Sequence, residues 1–401
     1  MLNPIVLKES IEQGHGYLYK NSLKIGFLAL VDDIVGITEA GMDAQNLNAF
    51  MNMKTAEKTL QFGAPKCKSM LVGKNTDAVV NSAMLVDNWQ VEYSQTGEED
   101  IIESYAGQIP IGKAVEYKYL GFTISCTGDN LVNISQMKKK SIGVIKTIIR
   151  KLNSLNLKTY YFECAMILLN AILRPTILYA ADMYYNLKEN EVRQLERIEE
   201  EFLRKVLKTT RGCPIVQLYF ELGQIPARFE VQKMRCLYLK KILDQNEDSQ
   251  LLKFFKLQMD HRVKGDWATT CLTDLKELEI EESFEEIKTM SKYKFSNILK
   301  DRIQKNAFKY LKGKQRSKGS EILYTDIQMA EYLLPCNSKL TISQKQHMFA
   351  IRNRMLEISE NFPGKDISEI CCCGNVILSL PLLPIYNTQQ VVTNGTEIRA
   401  V

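Results

Sequence analysis

The chain has 401 residues, 52 Lys+Arg against 47 Asp+Glu, and 45% hydrophobic with 25% charged content, the composition of a folded protein rather than a disordered tail. Ten prolines and 21 glycines exclude collagen-like and mucin-like architectures and favour helices, and this length leads us to expect two or three domains. No apolar run is long enough to span a bilayer: Ile25 to Thr38 is broken by Asp32 and Asp33, and Val376 to Ile385 is short and holds two prolines.

The first ten residues, with Lys8 and Glu9 after a brief apolar patch, do not read as a secretory signal. An intracellular, reducing compartment is expected, with neither nucleus nor cytoplasm singled out. Seven scattered cysteines and the run Cys371-Cys372-Cys373 lack the spacing of a disulfide scaffold, so most should be buried thiols. The sequons at Asn133 and Asn394 are accordingly not expected to carry glycans. Three consecutive cysteines with no Cys or His after them do not converge readily on one tetrahedral zinc ion.

Taken in chain order, Gly26 to Ile37 places Asp32-Asp33 between two apolar flanks, which predicts a strand–turn–strand. Carboxylates at such a tip are hard oxygen ligands suited to a divalent cation and to two-metal nucleotidyl transfer. Taken alone, the pair is more simply a polar turn. From Asn75 to Pro110 there are seven acidic residues and no Lys or Arg, and the alternation Val86, Trp89, Val91, Tyr93, then Ile101, Ile102, Tyr105, predicts a hairpin.

From Ile111 to Pro175 ten basic residues face three acidic ones, a candidate surface for a polyanion. Within it, Ile134, Met137, Ile145, Ile148, Ile149, Leu152 and Leu155 recur at helical spacing, with Lys138, Lys139, Lys140, Lys146, Arg150 and Lys151 between them. This predicts an amphipathic basic helix. Further helices are expected over Tyr160 to Leu173, ending at Arg174-Pro175, and over Lys188 to Lys208. Others are expected over Pro226 to Leu243, Leu251 to Met259, Leu272 to Met290, Tyr293 to Leu311 and Ser343 to Ile358. Lys312 to Gly319 reads as a flexible basic connector and the end from Cys371 as weakly ordered.

Several of these segments resemble, in order, those of one enzyme family. Leu30-Val31-Asp32-Asp33 is similar to the aspartate motif of reverse transcriptases, usually Tyr-Ala-Asp-Asp. The stretch from Phe50 to Met70, with Lys66-Cys67-Lys68-Ser69-Met70, resembles the helix and strand that follow it in LINE-type, non-LTR retrotransposon enzymes. Tyr117-Lys118-Tyr119-Leu120-Gly121 resembles their Tyr-Leu-Gly primer grip, and Pro175-Thr176-Ile177-Leu178-Tyr179-Ala180 their Pro-x-x-x-Tyr-Gly thumb segment. The resemblance covers about residues 1 to 240.

It implies an α+β fold: a partial palm over 1–125, a basic helical thumb over 126–230, a helical connection over 231–335 and a carboxyl-terminal region over 336–401. It implies that Asp32 and Asp33 are catalytic and metal-binding, with two Mg²⁺ ions in the complete enzyme. Lys66 and Lys68 would lie near the incoming nucleotide, and Tyr119, Leu120 and Gly121 would hold the primer end. Lys138, Lys139, Lys140, Lys146, Arg150 and Lys151 would track nucleic acid, the partners being an RNA template and a DNA primer, or their duplex, and no membrane. The family's other aspartate and its Gln-Gly-x-x-x-Ser-Pro segment are not found in Met1 to Val31. The chain is therefore expected to be inactive by itself, unless a second chain supplies those motifs. The alternatives are a non-enzymatic RNA- or DNA-binding protein and a helical interaction scaffold.

Overall fold

The computed structural model describes residues 11–30, 33–39, 42–57, 66–72, 85–93, 101–110, 112–209, 212–316, 324–336 and 339–353. The fold is α+β and mostly helical, with its strands in short pairs. Strands β1 (Tyr17–Tyr19) and β2 (Leu23–Ile25) pair antiparallel, as do β3 (Phe27–Leu30) and β4 (Asp33–Gly36). In the second pair Leu30 faces Asp33, so the expected pair of strands is present and Asp33, expected in the turn with Asp32, opens the second strand; Val31 and Asp32 lie between them in sequence. Those two residues lie outside the described ones. Helix α1 (Met42–Ala56) then packs Phe50 and Met51 against Phe27 and Ile34. Gly36 permits this approach, since a Cβ there would stand 2.9 Å from Leu47 Cδ2.

Strand β5 (Lys68–Ser69) joins β8 (Gly112–Lys113) in parallel, and β6 (Leu85–Tyr93) pairs antiparallel with β7 (Ile101–Pro110). The latter is the acidic hairpin, with an irregular register between Asp87 and Trp89. A last hairpin, β9 (Glu116–Tyr119) and β10 (Phe122–Ser125), leads into α2 (Leu131–Ser154). As its spacing predicts, α2 buries Ile134, Met137, Ile145, Ile148 and Leu152. Leu155 falls beyond the helix end and is exposed.

Helix α3 (Tyr161–Leu168) does not stop at Pro175. It widens into a π turn over Leu169–Leu173 and resumes as α4 (Arg174–Ile177). Proline has no N–H to donate and crowds the preceding turn, so a widened turn lets the helix absorb it where a regular one would break. Helix α5 (Glu189–Leu207) buries Leu195, Ile198, Phe202 and Val206, and also the carboxylates of Glu196 and Glu199. Glu196 is held by Arg228, and Glu199 accepts from the Tyr219 hydroxyl. Helix α6 (Ile215–Glu221) is buried on all sides from Val216 onwards, which erases the polar face that marks a helix in a sequence.

Next come α7 (Ala227–Leu243), α8 (Gln250–His261), α9 (Trp267–Glu277) and α10 (Phe284–Thr289). The span Leu272 to Met290, expected as one helix, is two, because the Ser283 side chain and Glu286 form a capping box that starts α10 afresh. Helix α11 (Lys292–Arg316) runs through most of the expected connector, anchored by buried Leu311 and Gln315. Helix α12 (Ile342–Arg352) ends at Asn353, and the region from residue 354, Cys371 to Cys373 included, lies outside the described residues. Of the described cysteines, Cys126, Cys213, Cys236 and Cys271 are buried, while Cys67 and Cys164 are half-buried and Cys336 is exposed.

Two compact units draw on separated stretches of chain, 1–144, 172–198 and 226–307 for one, and 145–171, 199–225 and 308–401 for the other. The four blocks expected from the sequence are contiguous instead. The first unit's core holds Ile134, Ile177, Tyr184, Leu239, Cys271 and Phe295, and the second's Phe162, Phe202, Leu218, Phe220, Leu333 and Phe349. No helix among the described residues is long and apolar enough to cross a membrane.

Candidate nucleic-acid interface

Strands β9 and β10 pair with Tyr119 opposite Phe122, so their loop is the dipeptide Leu120-Gly121, with φ of 48° and 84°. Two positive φ values in a two-residue loop make the turn that matches the twist of a hairpin. For leucine this backbone costs about 1–2 kcal/mol, so something must hold it. The Tyr179 hydroxyl donates a 2.6 Å hydrogen bond to the Leu120 carbonyl. Its ring also lies where a side chain at 121 would go, with Cε1 3.2 Å from an added Cβ. The Tyr-Leu-Gly segment and the Pro-x-x-x-Tyr-Ala segment thus meet at one turn. Leu120 and Tyr179 remain exposed there, as do Met183 and Tyr185.

A buried polar chain supports this turn from behind. Thr123 N–H donates to Asn133 Oδ1, and Asn133 Nδ2 donates to the Tyr184 hydroxyl at 2.7 Å. The Tyr184 carbonyl accepts from Arg235, whose guanidinium forks onto both Asp274 oxygens at 2.6 and 2.9 Å. Burial, with the Glu191 charge adding to it, pushes the Tyr184 phenol up to about 12 despite its Asn133 bond. Asn133 is fully buried, which gives a physical reason why its sequon would not receive a glycan; Asn394 lies outside the described residues.

Asp33 is exposed at the start of β4. Tyr117 and Tyr119 alternate with Glu116 and Lys118 and so share one half-buried face of β9. Burial first, and then the Asp33 carboxylate, raises both phenols above their ordinary value; Cys67 contributes further at Tyr117. Asp33 and Cys67 thus both lie within electrostatic reach of Tyr117. Lys66 and Lys68 are themselves exposed. Among the described residues no group of three His, Cys, Asp or Glu side chains converges as a metal site. Asp33 supplies one carboxylate, whereas Mg²⁺ takes several oxygens in near-octahedral array, so the described residues do not by themselves fit the ion.

The expected nucleic-acid residues are all on α2. Lys138, Lys139, Lys140, Lys146, Arg150 and Lys151 are exposed, and none is ion-paired with a described carboxylate. At 100° per residue, Lys139, Lys146 and Arg150 lie opposite the buried stripe, and the other three flank it. The rise of the helix spreads Lys139 to Arg150 over about 16 Å. Arg174, part of the same basic stretch of sequence, is buried against Glu230 at 3.7 Å and does not join this surface. Comparison with family models, curated proteins and solved structures finds no match to the chain.

Proposed function

We propose that the chain is a palm-and-thumb portion of a LINE-type reverse transcriptase, whose own property is to hold nucleic acid rather than to polymerise it. The observation that supports this most is the meeting of separately recognised segments: Tyr179 closes the Leu120-Gly121 turn, and Asp33 acts on Tyr117 and Tyr119. Segments that resemble one family's motifs and lie about 60 residues apart in sequence come together at one turn, which supports a common arrangement. In this reading the β9–β10 tip steadies a primer end while the α2 cations follow phosphates without reading bases. Nucleotidyl transfer needs carboxylates converging on two cations, and among the described residues of the aspartate hairpin Asp33 supplies one.

Primer extension on an RNA template with Mg²⁺ tests both halves, using the full chain and its Asp32→Asn variant. Neither should yield product, while both should retard the labelled primer–template on a native gel. Product from the parent that disappears in the variant would overturn the inactivity, and absence of retardation would overturn the binding. A second reading, a non-enzymatic RNA- or DNA-binding protein, is favoured by the α2 cations alone, none of which pairs with a described carboxylate. It differs in expecting no preference for a recessed primer end over a blunt duplex.

A further inference from the structure

The second unit contains an open groove of about 660 Å³, lined by residues 153–159 and 339–343. The first segment closes α2 and opens a short 3-10 turn (Lys158–Tyr160), and the second leads into α12. The lining residues include Lys158, Lys339, Asn153 and Asn156 together with the apolar Leu155, Leu157, Leu340 and Ile342, and none of them carries a carboxylate. Both lysines are exposed and neither is ion-paired with a described carboxylate. Tyr160, next to the lining residue Thr159, is 57% exposed. The start of α12 offers no open helix end to the groove, since Thr341 and Gln344 cap each other there.

A wall with two lysines unpaired with any described carboxylate, two asparagines, four apolar residues and no acid is complementary to a polyanion that also carries apolar faces. The groove also begins where the basic face of α2 ends, since Lys146, Arg150 and Lys151 precede Asn153 on the same helix. We propose that this groove takes a single strand of nucleic acid, with Lys158 and Lys339 on its phosphates and the Tyr160 ring stacking a base. The concave shape decides for a single strand: the convex face of α2 suits the backbone of a duplex, whereas a cleft with apolar side chains in its wall and an exposed tyrosine next to it in sequence suits unpaired bases, which stack on aromatic side chains. The inference rests on the nucleic-acid-holding reading and adds a second, strand-specific subsite to it.

The test is fluorescence anisotropy with the full chain, a labelled oligothymidylate of twelve nucleotides and a blunt duplex of the same length, over a range of salt. Lys158→Ala/Lys339→Ala should weaken the single strand roughly tenfold and flatten its log–log salt slope by about 1.4, two contacts' worth. It should leave the duplex within about twofold, two lost contacts being absent there. Tyr160→Ala should weaken the single strand about tenfold with its slope unchanged, as loss of stacking does. Unchanged single-strand affinity in the double variant, or an equal loss on the duplex, would overturn the groove. Lys146→Ala/Arg150→Ala separates the two levels. If that variant leaves duplex binding untouched, the proposed function fails; if it weakens the duplex while the groove variant changes nothing, the groove inference alone fails.

Discussion

Leu120 and Ala180 both adopt a left-handed backbone, with φ of 48° and 56°, a conformation that disfavours side chains by about 1–2 kcal/mol. At Leu120 the Tyr179 hydrogen bond offsets part of that cost. Tyr179→Phe should therefore lower the stability by about 1 kcal/mol, read from the urea midpoint, without altering the circular dichroism. Gly121→Ala should cost more, about 2 kcal/mol, because it adds a left-handed penalty to a crowded approach of the Tyr179 ring. Ala180→Gly should move the other way, by a few tenths to about 1 kcal/mol of stabilisation, the released strain exceeding the entropy that glycine adds to the unfolded chain. These three signs together separate a clasped turn from two segments that merely lie near each other.

Among the elements, α2 and α10 show which signals in the sequence carry and which compete. The period of α2 was legible because its buried and basic faces differ sharply. Gly143 sits within it with nothing within 4 Å of an added Cβ, so Gly143→Ala should stabilise the helix by about 1 kcal/mol. The division between α9 and α10 was hidden by apolar residues that continue through Leu278 and Ile280, although the Ser283-x-x-Glu286 box was there to be read. Ser283→Ala should cost about 1 kcal/mol, measured in the same denaturant series. The expected connector after Leu311 drew on Gly313 and its lysines. Burial of Gln315 outweighs that local preference and keeps α11 helical to Arg316. Helix α6 was not legible, since a segment buried all round has no alternation to show.

For the whole molecule, the buried Tyr184 phenol is one of several groups, with Cys236, Cys271, Tyr324 and Tyr332, that burial holds in the neutral form and that therefore oppose folding at alkaline pH. The Tyr184 phenol titrates near 10.0 when unfolded and is pushed up to about 12 by burial in the fold. Its contribution is thus complete below pH 10 and is lost as pH rises from 10 towards 12, up to roughly 2.7 kcal/mol for a shift of this size. The urea midpoint should fall across that window, and Tyr184→Phe should flatten this part of the profile. The candidate site was read from the sequence as separate segments, Asp32-Asp33, of which Asp32 lies outside the described residues, Tyr119 to Gly121 and the α2 cations. What sequence could not display is that Tyr179 reaches the Leu120 carbonyl, a contact 59 residues apart, or that Asn133 and Tyr184 brace the same hairpin. Such contacts follow from packing rather than from any local pattern.

In the proposed function α2 holds nucleic acid through its outward cations, independently of the aspartates. The most direct measurement is salt-titrated binding of an RNA–DNA duplex to the full chain, to Lys139→Glu/Lys146→Glu/Arg150→Glu and to Asp33→Asn. The account predicts that the triple variant loses affinity and flattens the log–log slope by about 2 to 3, while Asp33→Asn leaves both unchanged. Equal binding by the triple variant, or parent binding that does not weaken with salt, would contradict it.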